Sequence, residues 1–379
     1  MFKKTDHCIL VRKCQNFSSR HGKTNIVSTI LYLNSKISMR NTKLYSNHQN
    51  KRIFKSKLMK KNDEVVLSFV VCDSRFNESL NLLKSGLIFT QSSLHVVIFA
   101  EDDLHKKFNS TLTKWKMLIA RPFTFELHKI NFPEANRKDW MNLFSKCAAQ
   151  RLFIPALLPH VDAMIYVDTD TLFLGPIEIL WNYFTKFKAT EISALALEDE
   201  NPNVSWYPRF AKHPFYGKCG LNSGVMLMNL TRMREFGWID YITPIMLRWK
   251  SNIPWGDQDI INIIFHYHER AVHELSCRYN YRSDQCMYGD ACTDATSNGI
   301  FVLHGSRRAF YSDKQPAFQA VHRAIEEFEI GADLSPKMLL VNMEKYLNET
   351  PPSNCGNLKD AFLKIPTETF KKHYNLPDR

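Results

Sequence analysis

The first long apolar run of the chain is residues 65–72 (VVLSFVVC). Its hydrophobic side chains fall on both alternating faces, as in a strand of a parallel sheet covered on both sides. Residues 76–91 follow with Leu80, Leu83 and Leu87 at helical spacing. Residues 94–100 (LHVVIFA) predict a second buried strand, and Glu101-Asp102-Asp103 opens an amphipathic helix ending near Met117. Residues 123–130 (FTFELHKI) alternate and predict a third strand. A helix is predicted over 145–158, stopped by Pro159, and a fourth strand over 163–167 (AMIYV). Strands alternating with helices specify βαβ units, hence a parallel sheet with helices on both faces.

Beyond residue 190 the pattern is less regular. Strands are predicted at 193–197 and 224–228. A helix is predicted at 257–268 (DQDIINIIFHYH), whose acidic first turn suits the positive end of its dipole. A short strand at 300–303 runs into His304, and an amphipathic helix covers 317–330. After residue 333 one more helix is predicted, then a basic, Pro-containing end with no assigned role. The organisation expected is a leader (1–62), a catalytic domain (63–330) and a helical tail (331–379).

Composition changes this picture at one point. The 379 residues are 44% hydrophobic, enough for a sizeable core, but they carry a formal charge of +12. Residues 1–61 hold 15 Lys+Arg and one acid, Asp6, which leaves 35 basic and 37 acidic residues for the rest. The basicity therefore belongs to the leader. A nucleic-acid-binding fold, whose basic patch should lie on the folded body, is excluded on that ground. The leader is rich in Ser, Asn, Lys and Arg and reads as disordered. Its one apolar stretch, 25–33 (NIVSTILYL), is too short and polar to span a bilayer, which takes ~20 apolar residues. It also lacks the features of a signal peptide.

Nine cysteines are present, and Cys277, Cys286 and Cys292 cluster in a turn-rich stretch. A disulfide there and buried free thiols are both compatible with the spacing, whereas zinc is disfavoured because no CxxC or paired His accompanies them. Six N-x-S/T sequons occur, at Asn16, Asn77, Asn109, Asn203, Asn229 and Asn348. Asn229 ends an apolar run and is expected to be buried.

The candidate chemistry starts at Asp168 and Asp170, directly after the fourth strand. Ligands of open α/β sheets bind outside the carboxyl ends of strands. Two carboxylates beside a core need a counter-charge. In an extended Asp-x-Asp both side chains point one way and can reach one hard cation, Mn²⁺ or Mg²⁺, which also bridges diphosphate oxygens. A turn or helix-capping pair is the plainer alternative. His304, at another strand end and followed by Gly305, offers a third ligand. Lys314 lies ten residues on in a basic turn and suits diphosphate oxygens. Asn222-Ser223-Gly224 before a strand and Asp257-Gln258-Asp259 at a helix start place polar groups at element ends. Helix capping is the alternative for Asp257 and Asp259.

These stretches resemble glycosyltransferase family 8, and within it the glucoside xylosyltransferases. The resemblance rests on residues 147–158 (CAAQRLFIPALL), 166–176 (YVDTDTLFLGP), 206–218 (WYPRFAKHPFYGK), 222–234 (NSGVMLMNLTRMR), 255–265 (WGDQDIINIIF) and 301–318 (FVLHGSRRAFYSDKQPAF). It implies the GT-A fold, a Rossmann-like α/β/α sandwich with a mainly parallel sheet. Asp168, Asp170 and His304 would hold Mn²⁺, with Thr169 in the same donor-binding motif, and Lys314 and Gly305 would meet the donor diphosphate. Arg151 would contact the donor sugar, and Asn222, Ser223, Gly224, Asp257 and Gln258 would line its pocket, the last two in catalytic roles.

The implied reaction moves α-xylose, with retention, from UDP-xylose to O3 of a glucose β-linked to Ser of EGF-like repeats, as in Notch. Same-face attack is expected, because Gln258 is a neutral amide and Asp257 is assigned to orienting the sugar. The resemblance also implies a membrane-anchored glycoprotein of the endoplasmic reticulum or Golgi lumen, although the leader shows no anchor. Competing readings are a family 8 enzyme with a UDP-hexose donor (a glucosyl- or galactosyltransferase) and an inactive carbohydrate-binding pseudoenzyme. The second is disfavoured by the intact Asp168, Asp170, His304 and Lys314.

Overall fold

The computed structural model describes residues 64–143, 147–331 and 336–374. The leader expected at 1–62, with its apolar stretch and the Asn16 sequon, lies outside the described residues.

The expected βαβ units form. Strand β1 (Val65–Val71) leads to helix α1 (Phe76–Phe89), β2 (Leu94–Ala100), helix α2 (Asp102–Leu118) and β3 (Phe123–Lys129). Strands β4 (Met164–Val167), β6 (Ser193–Leu197), β7 (Leu221–Met228) and β8 (Val272–Leu275) complete a seven-stranded sheet of order β3-β2-β1-β4-β7-β6-β8. Four of its six pairings are parallel, and β7 runs antiparallel to both neighbours.

Alternate residues of one strand enter different cores. Ile98 and Ile165 pack with Leu83, Phe108 and Leu112 of α1 and α2. Val97 and Tyr166 pack with residues of α3 (Trp238–Trp249) and α4 (Asp257–Tyr267) on the other face. That alternation is why the strands read as apolar throughout, and it makes the layers α/β/α.

A second sheet, of order β5-β10-β9, joins β5 (Thr171–Phe173), β9 (Tyr281–Arg282) and β10 (Val302–His304). It shares a core with α5 (Pro316–Glu327), α6 (Pro336–Asn348) and α7 (Lys359–Tyr374). The tail is therefore part of this core: Leu339, Met343 and Phe362 are buried in it, and the Phe370 ring stacks on Phe89 of α1 at 5.1 Å. Disulfides Cys277–Cys292 and Cys286–Cys355 lie here, and Cys72–Cys147 ties the end of β1 to the segment before Arg151. Among the described residues Cys219 is the free cysteine.

Two local expectations change. The helix expected over 145–158 begins in undescribed residues 144–146, and the rest is a 3₁₀ helix (Ala148–Phe153) running into one α-turn (Ile154–Leu157). Cys147 is left-handed (φ 67°), and Pro155 has no N–H to give the Arg151 carbonyl, so a continuous α-helix cannot form. Asn229 is half-buried rather than buried. Its side chain caps the helix Leu230–Phe236, accepting from the Arg232 N–H at 3.0 Å.

Candidate active site

The link between the two sheets is the Asp168–Asp170 segment. Asp168 follows β4 of the large sheet, and Asp170 precedes β5 of the small one. The segment is a turn, not extended chain: the Thr171 N–H and hydroxyl both donate to the Asp168 carbonyl, at 3.2 and 2.8 Å. The turn, rather than strand alternation, brings the two carboxylates together. It also turns Thr169 away from them. The Thr169 hydroxyl donates to Glu78 Oε1 of α1 at 2.6 Å, so Thr169 anchors the turn instead of offering its side chain to a donor.

Pairing in the small sheet supplies the third ligand. His304 of β10 stands opposite Thr171 of β5, next to Asp170. Asp168, Asp170 and His304 each present a ligand atom within 4.8 Å of the others. His304 Nε2 lies 3.4 Å from Asp170 Oδ1. Its Nδ1 faces Asn280 Oδ1 at 2.8 Å, while Asn280 Nδ2 donates to Asn222 Oδ1 at 2.7 Å. The Asn280 amide thus offers Nδ1 only an acceptor, which puts the proton on Nδ1 and leaves the Nε2 lone pair facing a carboxylate. A cation between them resolves that opposition, so the donor set fits a hard divalent metal. Burial alone would raise the Asp170 carboxyl, and only a His304 ring protonated on both nitrogens, helped by Arg75, would hold it below its ordinary value. Gly224 makes room for the imidazole, since a Cβ there would collide with its ring.

Arg151 organises the large-sheet side. Its guanidinium is buried over the Tyr166 ring at 4.7 Å and donates to the Ser223 carbonyl at 2.6 Å. It pairs with Asp168 Oδ1 at 2.8 Å and with Asp257 Oδ2 at 2.5 Å. Burial pushes the Asp257 carboxyl up, and Arg151 opposes that shift. Two carboxylates thus face one buried guanidinium, which leaves that cluster an excess of negative charge suited to a cation. Neither Asp257 nor Asp259 caps α4, because Gly256 occupies the cap position.

Asn222, Ser223 and Gly224 lie inside β7 rather than before it. Because β7 runs antiparallel to β4, its start lies at the end of β4, and the Asp168 N–H donates to the Gly224 carbonyl at 2.9 Å. Gln258 Oε1 accepts from the Ser223 N–H (3.0 Å) and hydroxyl (3.2 Å). Its Nε2 donates to Glu198 Oε2 (3.2 Å) and to the Tyr207 hydroxyl (3.3 Å).

Gly305 departs from its expected part. Its N–H already donates to the Asp170 carbonyl at 2.7 Å, extending the β5–β10 pairing, so it is not available to a diphosphate. What Gly305 contributes is space, since a Cβ there would enter the Phe310 ring. Lys314 is exposed, and its ammonium has no ion-pair partner among the described residues.

Sequence reasoning missed Asn280, Glu198 and Arg75. Asn280 carries no motif. Glu198 follows β6 in an acidic run, and the strand-end rule that selected Asp168 would have found it. Arg75 precedes α1, pairs with Glu78 at 2.6 Å and lies 3.9 Å from Asp170 Oδ2.

Comparison with known proteins identifies the family and the fold. Glycosyl transferase family 8 matches residues 27–304. Glucoside xylosyltransferase 1 of Mus musculus is 42% identical over 328 residues, covering 84% of this chain and 80% of that protein. The Danio rerio protein of the same name is 45% identical, covering 78% and 76%. Among solved structures, galactosyltransferase LgtC with donor and acceptor sugar analogs aligns at a TM-score of 0.54 and 16% identity, covering 69% of this chain and 95% of that one. Glycosyltransferase GlyE of Streptococcus pneumoniae aligns at 0.53 and 15%, covering 77% and 66%. The fold is that of the GT-A glycosyltransferases, and the chain belongs to glycosyltransferase family 8.

Proposed function

We propose that the protein is a retaining glucoside xylosyltransferase. It moves α-xylose from UDP-xylose to O3 of a glucose β-linked to Ser on EGF-like repeats of a Notch-type glycoprotein. The reading is carried by the convergence of Asp168, Asp170 and His304 within 4.8 Å in a chain 42% identical to a glucoside xylosyltransferase.

In this reading the two aspartates and His304 hold Mn²⁺, or Mg²⁺ in its place. Such a cation would neutralise charge gathering on the diphosphate as the sugar–phosphate bond breaks. Lys314 adds a mobile positive charge to the same leaving group. Arg151 and Asp257 orient the sugar from the large-sheet side. Gln258 has its four hydrogen-bonding positions engaged, so a sugar hydroxyl reaches it by replacing one of them. Asp257 is held by Arg151 and is not free to attack the anomeric carbon, which favours same-face attack.

We place the reaction in the lumen of the secretory pathway, with the leader preceding a catalytic unit at 63–330 and the helical tail. Three disulfides and exposed sequons at Asn77, Asn109, Asn203 and Asn348 support an oxidising compartment. The test is incubation with a β-glucoside acceptor and UDP-xylose, UDP-glucose or UDP-galactose. Preferential transfer of xylose is expected. Preference for a hexose would replace the donor assignment and keep the family.

A further inference from the structure

Behind Gln258 lies a buried chain of polar groups that the reaction described above does not use. Asp259 of α4 is fully buried. Its Oδ2 accepts from the Trp255 N–H at 2.7 Å, and its Oδ1 accepts from the Tyr207 hydroxyl at 2.9 Å. The same Oδ1 lies 3.2 Å from His213 Nε2, and neither side chain of that pair is exposed. His213 Nδ1 faces the Pro214 carbonyl at 2.9 Å.

Both ring nitrogens therefore face atoms that only accept, a carbonyl and a carboxylate. The imidazole satisfies both only as the imidazolium. Tyr207 gives its one proton to Asp259. Its oxygen must then accept, and it does so from Gln258 Nε2 at 3.3 Å and Asn262 Nδ2 at 3.0 Å. That polarity decides which end of the Gln258 amide faces Tyr207 and which faces Ser223.

We propose that His213 is a positioning residue for the donor sugar. Its charge, passed through Asp259 and the Tyr207 hydroxyl, fixes the orientation of Gln258 in the sugar pocket. The inference rests on the donor-sugar pocket proposed above. Asp259 from α4 is the charged group facing His213 among the described residues. The Tyr207 and Trp249 rings cover it at 6.0 and 6.4 Å as neutral surfaces.

Burial works against the charged ring, but Asp259 and the Pro214 carbonyl prevail and raise its pKa above 6.5. The arrangement is thus complete below the ordinary His pKa and is lost as pH rises through the raised value.

The experiment compares UDP with UDP-xylose as ligands of the whole protein by calorimetry, for wild type, His213→Gln and Tyr207→Phe. UDP lacks the sugar and reports the rest of the site. UDP affinity is expected to stay constant while UDP-xylose affinity falls about tenfold in both variants, the loss of roughly one buried hydrogen bond. The sugar-dependent gain of the wild type should decline at alkaline pH, and that of Tyr207→Phe should not.

Equal losses for UDP and UDP-xylose, or no loss for either in the Tyr207→Phe protein, would overturn the proposal. If the wild type prefers UDP-glucose, the donor assignment falls, and the same ratio taken with UDP-glucose still decides the role of His213. Because Tyr207→Phe removes a single oxygen, the test survives a misfolded His213 variant.

Discussion

The two sheets are built by different means. The seven-stranded sheet rests mainly on hydrophobic pattern, with two large apolar clusters on its faces, long ladders such as the seven-residue β1–β2 pairing, and one disulfide at the end of β1. The small sheet pairs over two or three residues per strand. A third apolar cluster shared with α5, α6 and α7 covers it, and two disulfides, the buried Arg282 and hydrogen bonds from side chains add to its hold. The Arg282 guanidinium reaches the Glu198 carbonyl across the junction of the sheets. The Asp168–Asp170 turn joins the two, so each sheet owns one carboxylate and His304 comes from the weaker one. The candidate metal site is thus assembled between a half with long ladders and one bridge and a half with short ladders and two bridges, and its geometry depends on the second.

That contrast can be broken at its centre. Asp170→Asn removes the carboxylate owned by the small sheet and should lower transfer by ~10²-fold or more. Steady-state rates over a Mn²⁺ titration check this, and near-wild-type, chelator-sensitive transfer would falsify the ligand assignment. The cross-links come next. Replacing Cys286 and Cys355 by Ser should cost about 2–5 kcal/mol, read from urea unfolding. It should also weaken Mn²⁺ binding more than the same exchange at Cys72 and Cys147, since the first bridge lies in the half that carries His304.

Smaller effects sharpen the comparison. Asn280→Ala removes the acceptor that sets the His304 tautomer and should lower metal affinity about 10–100-fold with little change in fold, as metal titration followed by circular dichroism would show. Ser85→Ala deletes the α1 hydroxyl that accepts from the Phe173 N–H at 2.9 Å, at the edge of β5. Leaving that buried N–H unpaired should cost about 1–3 kcal/mol in unfolding free energy, with the donor site otherwise intact.

The same division governs what could be read from the sequence. Strands β1, β2 and β4 announce themselves as apolar runs because each is covered on both faces, and the edge strand β3 shows as an alternation. Strands β5 and β9 are too short to show a period, and β8 is half exposed, so none was legible. The carboxylates and His304 were found because they end strands. Their juxtaposition was not visible, because it depends on the register of β5 against β10. The engagement of the Gly305 N–H was not visible for a related reason: it is consumed by that same pairing. Asn280 was invisible because its role is defined only by two neighbours, His304 and Asn222, that are distant in sequence. Thr169 was grouped with its flanking aspartates, but a turn, unlike a strand, sends the middle residue to a neighbour of its own.

Cys219 carries a consequence for how the cross-links endure. It is buried at the start of the segment entering β7, and burial pushes its thiol up to about 11. At neutral pH roughly one such thiol in 10⁴ is ionised, and only the thiolate attacks a disulfide. Cys219 is thus held mostly as the thiol, the form slow to start exchange. Among the described residues, the sulfur outside the bridges is therefore poorly placed to attack them, which favours retention of the pairings that hold the small sheet.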